Sequence, residues 1–130
     1  MKTLFGSTVV SLALAALAGC ASQPRQAPVG LMDVISRPAE KALQSGLRAY
    51  DDAQYADAEK QLNNALKAGL VSPRDQAEAH KVLAFIYCTS RRLVECEAEF
   101  RAAKASDPAF VLSKSEQGHP LWGPVYKKIP

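Results

Sequence analysis

Three cysteines and two histidines are the side chains of this sequence best suited to redox, nucleophilic or metal chemistry. Seven residues separate Cys88 from Cys96, whereas redox-catalytic thiols usually stand in a C-x-x-C motif. His80 and His119 have no metal-ligand spacing, and no Ser-His-Asp arrangement, acid pair, HExxH, GxSxG or phosphate loop accompanies them. We therefore predict that the chain is not an enzyme, that it takes no metal, cofactor or small-molecule substrate, and that both histidines are structural.

The third cysteine, Cys20, follows a stretch with the composition of a signal peptide. Lys2 gives a positive start, and residues 4–17 carry no charge. This run of about 14 residues is too short for a membrane-spanning helix, which needs roughly 20. The sequence LAGC at 17–20 resembles the lipobox of bacterial lipoproteins, whose cysteine is acylated and becomes the first residue of the mature chain. The resemblance predicts a signal peptide at 1–19 and a lipid on Cys20; the alternative is an ordinary secretory signal with a chance cysteine.

The residues after Cys20 predict where the lipid holds the chain. Ala21 stands where lipoproteins of the inner membrane often carry Asp, so the resemblance implies the outer membrane, on the periplasmic side. Residues 20–36 begin rich in Pro, Gln and Ala and are predicted to be a tether, with a span on the order of 20 Å. The apolar residues of the sequence LMDVI at 31–35 are expected to dock on the domain or on a partner.

The overall charge argues against nucleic acid as a partner. The chain has 16 Lys and Arg against 13 Asp and Glu, a formal charge of +3. Nucleic-acid-binding domains usually concentrate a much larger basic excess on one face. With 130 residues, of which 48% are hydrophobic, the composition is that of one globular domain rather than a disordered chain.

From residue 37 onwards the apolar residues recur every three or four positions, which is the period of an α-helix. The pattern predicts four helices in two hairpins, at about 39–69 and 73–106. They belong to one predicted domain at 37–130, whose last part, 109–130, is expected to form a cap. The predicted fold class is therefore all-α.

The two hairpins repeat one order of side chains with a constant offset of 38 residues. The order is a small residue, an apolar residue after the turn, a small residue, a large apolar residue and an alanine. It resembles the tetratricopeptide repeat, which is normally about 34 residues long. The resemblance predicts two tetratricopeptide-like hairpins; the alternative is a four-helix bundle with fortuitous spacing. The matched pairs are Gly46 with Ala84, Tyr55 with Leu93, Ala58 with Cys96, Leu62 with Phe100, and Ala65 with Ala103.

Capping residues indicate where two of the helices begin. Ser72 is a good N-cap and Pro73 suits the first helical position, so a helix is predicted to start here. Ser113 and Glu116 have the spacing of a capping box, and apolar residues follow them. Because two repeats fall short of the three usually required, we expect 109–130 to fold back over the second hairpin as one or two short helices.

In the repeat register, Cys88 and Cys96 lie on either side of the turn of the second hairpin. Cys88 is one helical turn beyond Ala84, and Cys96 is at the position that packs against Ala84. A disulfide needs Cα atoms about 4.4–6.8 Å apart, which this arrangement permits. In the loop-entropy model, closing nine residues contributes roughly 2.5 kcal/mol. The alternative is a pair of buried, reduced thiols.

Tetratricopeptide arrays bind peptides on the concave face that the first helix of each hairpin builds, and this resemblance defines a candidate binding surface. The alternative is that Leu47 and Phe85 are covered by the chain's own N- or C-terminal segment. The predicted surface comprises Leu43, Leu47, Tyr50, Asp51, Glu78, Lys81, Phe85 and Thr89.

A closer resemblance covers roughly residues 36–130 together with the lipobox. The sequence FIYC at 85–88 with Cys96, and the sequence EQGHPLWGPV at 116–125, resemble the small tetratricopeptide lipoproteins of bacterial type VI secretion systems, the TssQ-type family. The resemblance implies a lipid-anchored scaffold or assembly accessory, with components of the secretion membrane complex as protein partners. The alternative is a pilotin-like assembly lipoprotein for a secretin or pilus system.

Overall fold

Four long helices and two short ones form the part of the chain that the computed structural model describes, Gly30 and residues 37–130. Helix α1 pairs with α2 and helix α3 with α4, which gives two helical hairpins. The prediction of an all-α fold with two helical hairpins and a short helical cap is confirmed. The predicted signal peptide at 1–19, and the tether at 20–36 apart from Gly30, lie outside the described residues. The helices are α1 (Pro38–Asp51), α2 (Tyr55–Ala68), α3 (Pro73–Thr89), α4 (Leu93–Ser106), α5 (Lys114–Gln117) and α6 (Gly123–Tyr126).

The predicted start of α3 is confirmed in atomic detail. The Ser72 hydroxyl accepts a hydrogen bond of 3.2 Å from the backbone N–H of Asp75, and Pro73 occupies the first helical position. The Ser72 oxygen thereby satisfies one of the four N–H groups that a helix start leaves without a backbone partner. Helix α2 ends at Ala68, and its C-cap residue Gly69 has a φ of 86°, in the left-handed region that glycine adopts without steric cost.

The turns of the two hairpins have the same backbone conformation, 38 residues apart. Ala53 and Arg91 have φ of 59° and 62°, the only positive values of non-glycine residues in the described part of the chain. The residues before and after them also match, with φ of −81° and −86° before and −87° and −86° after. The offset seen in the side chains therefore extends to the backbone. Asp52, Ala53 and Gln54 donate to the carbonyls of Arg48, Tyr50 and Ala49, and Ser90, Arg91 and Arg92 donate to those of Ile86, Cys88 and Tyr87.

The core lies between the helices of each hairpin and continues from one hairpin to the next. In the first hairpin, Gly46 allows α1 to approach α2 closely, because a Cβ atom there would lie 2.7 Å from Cγ of the fully buried Leu62. Arg92 joins the hairpins at the surface, with its Nη1 3.0 Å from Oε1 of Glu59 in α2. The largest fully buried side chains are Phe100, Leu62, Leu83, Leu112 and Cys96.

The predicted disulfide closes the second hairpin. The Sγ atoms of Cys88 and Cys96 are bonded, and their Cα atoms are 5.2 Å apart, within the expected range. Cys88 has 2% of its surface exposed and Cys96 has none, so the bridge is buried between α3 and α4. The alternative of two reduced thiols does not describe this structure.

The chain after α4 folds back over the second hairpin, as predicted. The capping box of α5 is complete, because the Ser113 N–H donates to Glu116 Oε2 at 2.8 Å while the Glu116 N–H donates to the Ser113 hydroxyl. Helix α6 packs against α4, where the ring of Tyr126 meets that of Phe100 at a centroid distance of 5.3 Å. The Tyr126 hydroxyl in turn accepts a hydrogen bond from the Leu112 N–H. Residues 109–130 therefore supply the end cap that two repeats lack.

Candidate protein-docking groove

A groove of about 270 Å³ lies between the C-terminal half of α1 and the middle of α3, and α5 borders it. Side chains of α1 and α3 reach it because residues one helical turn apart share a face. Leu47 and Tyr50 are half-buried, while Phe85 is buried at the base. We call this cleft the docking groove. Its lining consists of Leu47, Tyr50, Asp51, Glu78, Lys81, Val82, Phe85 and Glu116.

Six of the eight residues predicted for the binding surface line the docking groove. Leu43 is instead buried in the core, with 7% of its surface exposed. Thr89 lies on the surface at the end of α3, where its hydroxyl donates to the carbonyl oxygens of Phe85 and Ile86. The structure therefore groups the six central residues of the predicted surface, whereas Leu43 and Thr89, the first and the last, lie outside the groove.

Two residues of the lining were not predicted from the sequence. Val82 is one helical turn from Glu78 on α3, so the helical period contained a signal for it. Glu116 comes from α5, more than thirty residues further along the chain. Its capping-box role was readable locally, but its position beside α3 depends on how the C-terminal segment folds back.

Lys81 is held by two carboxylates in the docking groove. Its Nζ lies 2.9 Å from Glu78 Oε1 and 3.2 Å from Glu116 Oε1. Burial alone disfavours the charged ammonium, but the hydrogen bonds to both glutamates outweigh it and raise the pKa of Lys81. For Glu116, burial is likewise opposed, because hydrogen bonds from Ser113 and Lys81 lower the pKa of this carboxyl. Lys81 and Glu116 are therefore both charged at neutral pH.

Burial and the neighbouring charged groups shift the pKa of Tyr50 in the docking groove. Burial raises the pKa of its phenol, and Tyr55, Asp51 and Glu116 raise it further, while Lys81 opposes them. A neutral hydroxyl is thus the form present at physiological pH. The Tyr50 ring also packs against that of Tyr55 at a centroid distance of 5.7 Å, which fixes its orientation at the end of α1.

The C-terminal segment covers the base of the docking groove. The ring of Trp122 stacks on Phe85 with a centroid distance of 4.1 Å, and His119 stacks on the other side of Trp122 at 3.3 Å. The Trp122 indole N–H donates to the Glu116 carbonyl oxygen at 2.9 Å, so the stack is also hydrogen-bonded. The alternative prediction was that the chain's own terminal segments cover Leu47 and Phe85. In the structure the C-terminal segment covers Phe85, whereas Leu47 remains partly exposed.

A second cleft of about 400 Å³ lies beside the N-terminal half of α3, against residues 107–111. It shares Glu78 and Lys81 with the docking groove, so the ion pair forms the ridge between the two. Its lining also includes one basic and one acidic residue, Arg74 and Asp107, and Phe110 and Val111 give it an apolar wall.

The two histidines take structural positions in the described chain. His80 on α3 lies with Nδ1 2.6 Å from Oε2 of Glu99 on α4, which links the helices of the second hairpin. His119 packs on Trp122, and its Nδ1 accepts a hydrogen bond from the Leu121 N–H. Within residues 37–130 and Gly30, no three His, Cys, Asp or Glu side chains are grouped as metal ligands, and no helix is long and apolar enough to cross a membrane.

Comparison with known proteins finds no match: no family model, curated protein or solved structure is significantly similar to this chain. The site is therefore interpreted from its own geometry, a recessed apolar floor with charged groups along its edges.

Proposed function

We propose that the chain is a non-enzymatic scaffold of the bacterial cell envelope that holds a protein partner in the docking groove. The observation that carries the proposal is the groove itself, with half-buried Leu47 and Tyr50 beside the charged Asp51, Glu78 and Glu116. Partly exposed apolar side chains surrounded by polar ones are typical of protein-binding surfaces. No arrangement of nucleophile and base accompanies them among the described residues.

The lipobox-like sequence at 17–20 supports attachment of this scaffold to a membrane. We propose that Cys20 is acylated, and that the lipid holds the domain on the periplasmic face of the outer membrane. The predicted tether at 20–36 has the length to keep the domain close to that surface. The buried disulfide between Cys88 and Cys96 supports the same location, since such bonds persist in oxidising compartments.

The finer proposal is an accessory of a type VI secretion system that stabilises its membrane complex. It rests on the resemblance of the segments at 85–88 and 116–125 to the TssQ-type lipoproteins. In the structure these two segments meet, because Phe85 and Trp122 stack on each other. Their proximity explains physically why one sequence pattern would include both.

Crosslinking in living cells tests the scaffold. A photoreactive phenylalanine analogue at Tyr50 is expected to capture a partner protein in the membrane fraction, identified by mass spectrometry. The same residue at Ala98, which is exposed on α4, is the matched control and is expected to capture no specific partner. Secretion membrane-complex components would support the finer proposal, and secretin or pilus components would favour the pilotin-like alternative. Equal capture from both positions would overturn the docking groove as the site.

The anchor is tested separately by Cys20→Ser. Loss of the lipid is expected to release the protein from the membrane fraction into the soluble periplasm and to reduce function. Full function of a soluble Cys20→Ser protein would contradict an anchored scaffold.

A further inference from the structure

We propose that the occupant of the docking groove is a cationic protein segment, in which an apolar side chain is flanked by lysine or arginine. This inference rests on the proposed function and specifies the chemistry of the partner.

The lining of the docking groove carries three carboxylates, Asp51, Glu78 and Glu116, and one ammonium group, Lys81. It is therefore acidic, although the chain as a whole has 16 Lys and Arg against 13 Asp and Glu. A recess of one sign between low-dielectric walls concentrates the field and attracts ligands of the other sign. The local charge thus differs in sign from the charge of the molecule.

The single basic residue of the lining is already engaged. Lys81 is within 3.2 Å of both Glu78 and Glu116, and these contacts hold it in its charged form. An anionic segment would have to displace one of these carboxylates and approach the others. Such a segment would be repelled, since like charges placed together across an interface disfavour binding.

Asp51 is the one carboxylate of the described lining that does not contact Lys81. It is exposed, and it forms no ion pair in the described part of the chain. It is also the last residue of α1, where the helix dipole already places partial negative charge, so an acid here is unfavourable for the helix. Asp51 therefore does not stabilise the fold through its charge, and a cation bound beside it would gain from both the carboxylate and the helix end.

The floor of the docking groove sets the second requirement. Leu47, Tyr50 and Val82 present apolar surface, and Leu47 and Tyr50 retain partial exposure. A volume of about 270 Å³ fits one large side chain rather than a folded surface. Because the stacked Trp122 already fills the space over Phe85, the apolar side chain is expected to sit towards α1.

The chain's own segment at 31–35 does not meet the charge requirement. Its sequence LMDVI is apolar but carries Asp33 and no basic residue. The carboxylate of Asp33 would add to the three already present in the lining. A separate partner with lysine or arginine complements the docking groove better.

The test uses the full-length chain in detergent, with the photoreactive phenylalanine analogue at Tyr50, and three synthetic probes. The probes are twelve-residue peptides with the same Leu and Phe positions and with Lys, Gln or Glu at the remaining positions. We expect the Lys peptide to crosslink at a concentration at least about 10-fold lower than the Glu peptide, with the Gln peptide between them. The preference should shrink from 50 to 500 mM salt, because salt screens such charges.

Substitutions in the lining make the test specific. Asp51→Asn and Glu116→Gln each remove one charge with little change of shape, and Gln still fits the capping box with Ser113. Each is expected to weaken crosslinking of the Lys peptide about 3-fold, and the double variant to crosslink the Lys and Gln peptides equally. Glu97→Gln on α4, where Glu97 pairs with Arg101, is the matched control and should change nothing.

The outcomes separate this inference from the proposed function. Equal crosslinking of the Lys, Gln and Glu peptides to the unsubstituted lining would overturn the cationic occupant, while a partner captured in cells from Tyr50 would leave the scaffold standing. Capture in cells of only residues 21–36, or of a second copy of the chain, would overturn both. An equal effect of Glu97→Gln and Asp51→Asn would also overturn the assignment to the docking groove.

Discussion

The turns of the two hairpins have the same backbone conformation, but the helices of each hairpin are held together by different interactions. In both, three turn residues take the same backbone angles, 38 positions apart. The first hairpin is held by close packing, with Gly46 of α1 against Leu62 of α2. The second has Ala84 at the position of Gly46, and a disulfide joins its helices beside the turn. The same turn conformation is therefore compatible with helices held by close packing and with helices joined by a disulfide.

The hairpins also differ in what covers them. The second hairpin is overlaid by residues 109–130, which place Trp122 on Phe85 and Tyr126 on Phe100. Helix α3 is therefore fixed by the disulfide and by this cap, whereas the face of α1 beside it retains half-buried Leu47. The docking groove lies between the exposed face of α1 and the part of α3 that residues 109–130 cover.

The largest effect is expected from removal of the cap's main contact. Trp122→Ala should lower the free energy of unfolding by about 3–4 kcal/mol, because a large buried aromatic is truncated and Phe85 loses its cover. Circular dichroism during urea denaturation of the full-length chain measures the change. Leu121→Ala, at a neighbouring residue with 49% exposure, is the control and should have little effect. A loss below about 1 kcal/mol for Trp122→Ala would show that the second hairpin does not depend on the cap.

Loss of the covalent link should come next. The double substitution Cys88→Ala and Cys96→Ala is expected to lower the free energy of unfolding by about 2.5 kcal/mol, which is the loop-entropy value for a closure of this length. Reductant should destabilise the unsubstituted chain by a similar amount and leave the double variant unchanged. If reductant shifted both equally, the disulfide would not be the source of the difference.

A matching disulfide in the first hairpin sharpens the comparison. Tyr50 and Ala58 are the counterparts of Cys88 and Cys96 at the offset of 38, and the turn between them has the same conformation. Tyr50→Cys with Ala58→Cys is therefore expected to oxidise to a bridge and to raise stability by up to about 2 kcal/mol, after the loss of Tyr50 packing. Mass spectrometry under non-reducing conditions detects the bond. Two free thiols after oxidation would show that the turns differ in side-chain geometry.

The close approach in the first hairpin is tested by Gly46→Ala. A methyl group would meet Cγ and Cδ2 of Leu62 at 2.7 and 2.8 Å and its backbone nitrogen at 3.1 Å, and Leu62 is fully buried. Overpacking should outweigh the higher helix propensity of alanine and cost about 1–2 kcal/mol net. Ala84→Gly in the second hairpin is the reciprocal change and should also destabilise, by about 1 kcal/mol, through helix propensity. An increase in stability for Gly46→Ala would mean that α1 can shift away from α2.

The smallest effects are expected at the turns, and they should be equal. Ala53→Gly and Arg91→Gly relieve a left-handed conformation that a side chain disfavours, so each should raise the free energy of unfolding by about 0.5–1 kcal/mol. Asp52→Gly, at a residue with φ of −81°, is the control and should lower it. A gain in one hairpin only would contradict the equivalence of the two turns.

Much of the local structure was predictable because it depends on residues close in sequence. The helical period, the Ser72 and Ser113 caps, the turns and the bridge between Cys88 and Cys96 all involve partners within about nine positions. Six residues of the docking groove were also predictable, since they share one face of α1 or α3. Leu43 and Thr89 were assigned to this face as well, but period alone does not say where a groove begins and ends.

The helices, the two equivalent turns and the cysteines that can pair follow from residues close together in the chain, because backbone hydrogen bonding and side-chain period act over a few residues. Three other features depend on long-range packing: Trp122 covers Phe85, Glu116 joins Lys81, and the docking groove is acidic within a basic chain. These contacts join residues more than thirty positions apart. They form where burial of apolar surface brings the C-terminal segment onto α3, and no local spacing encodes that position.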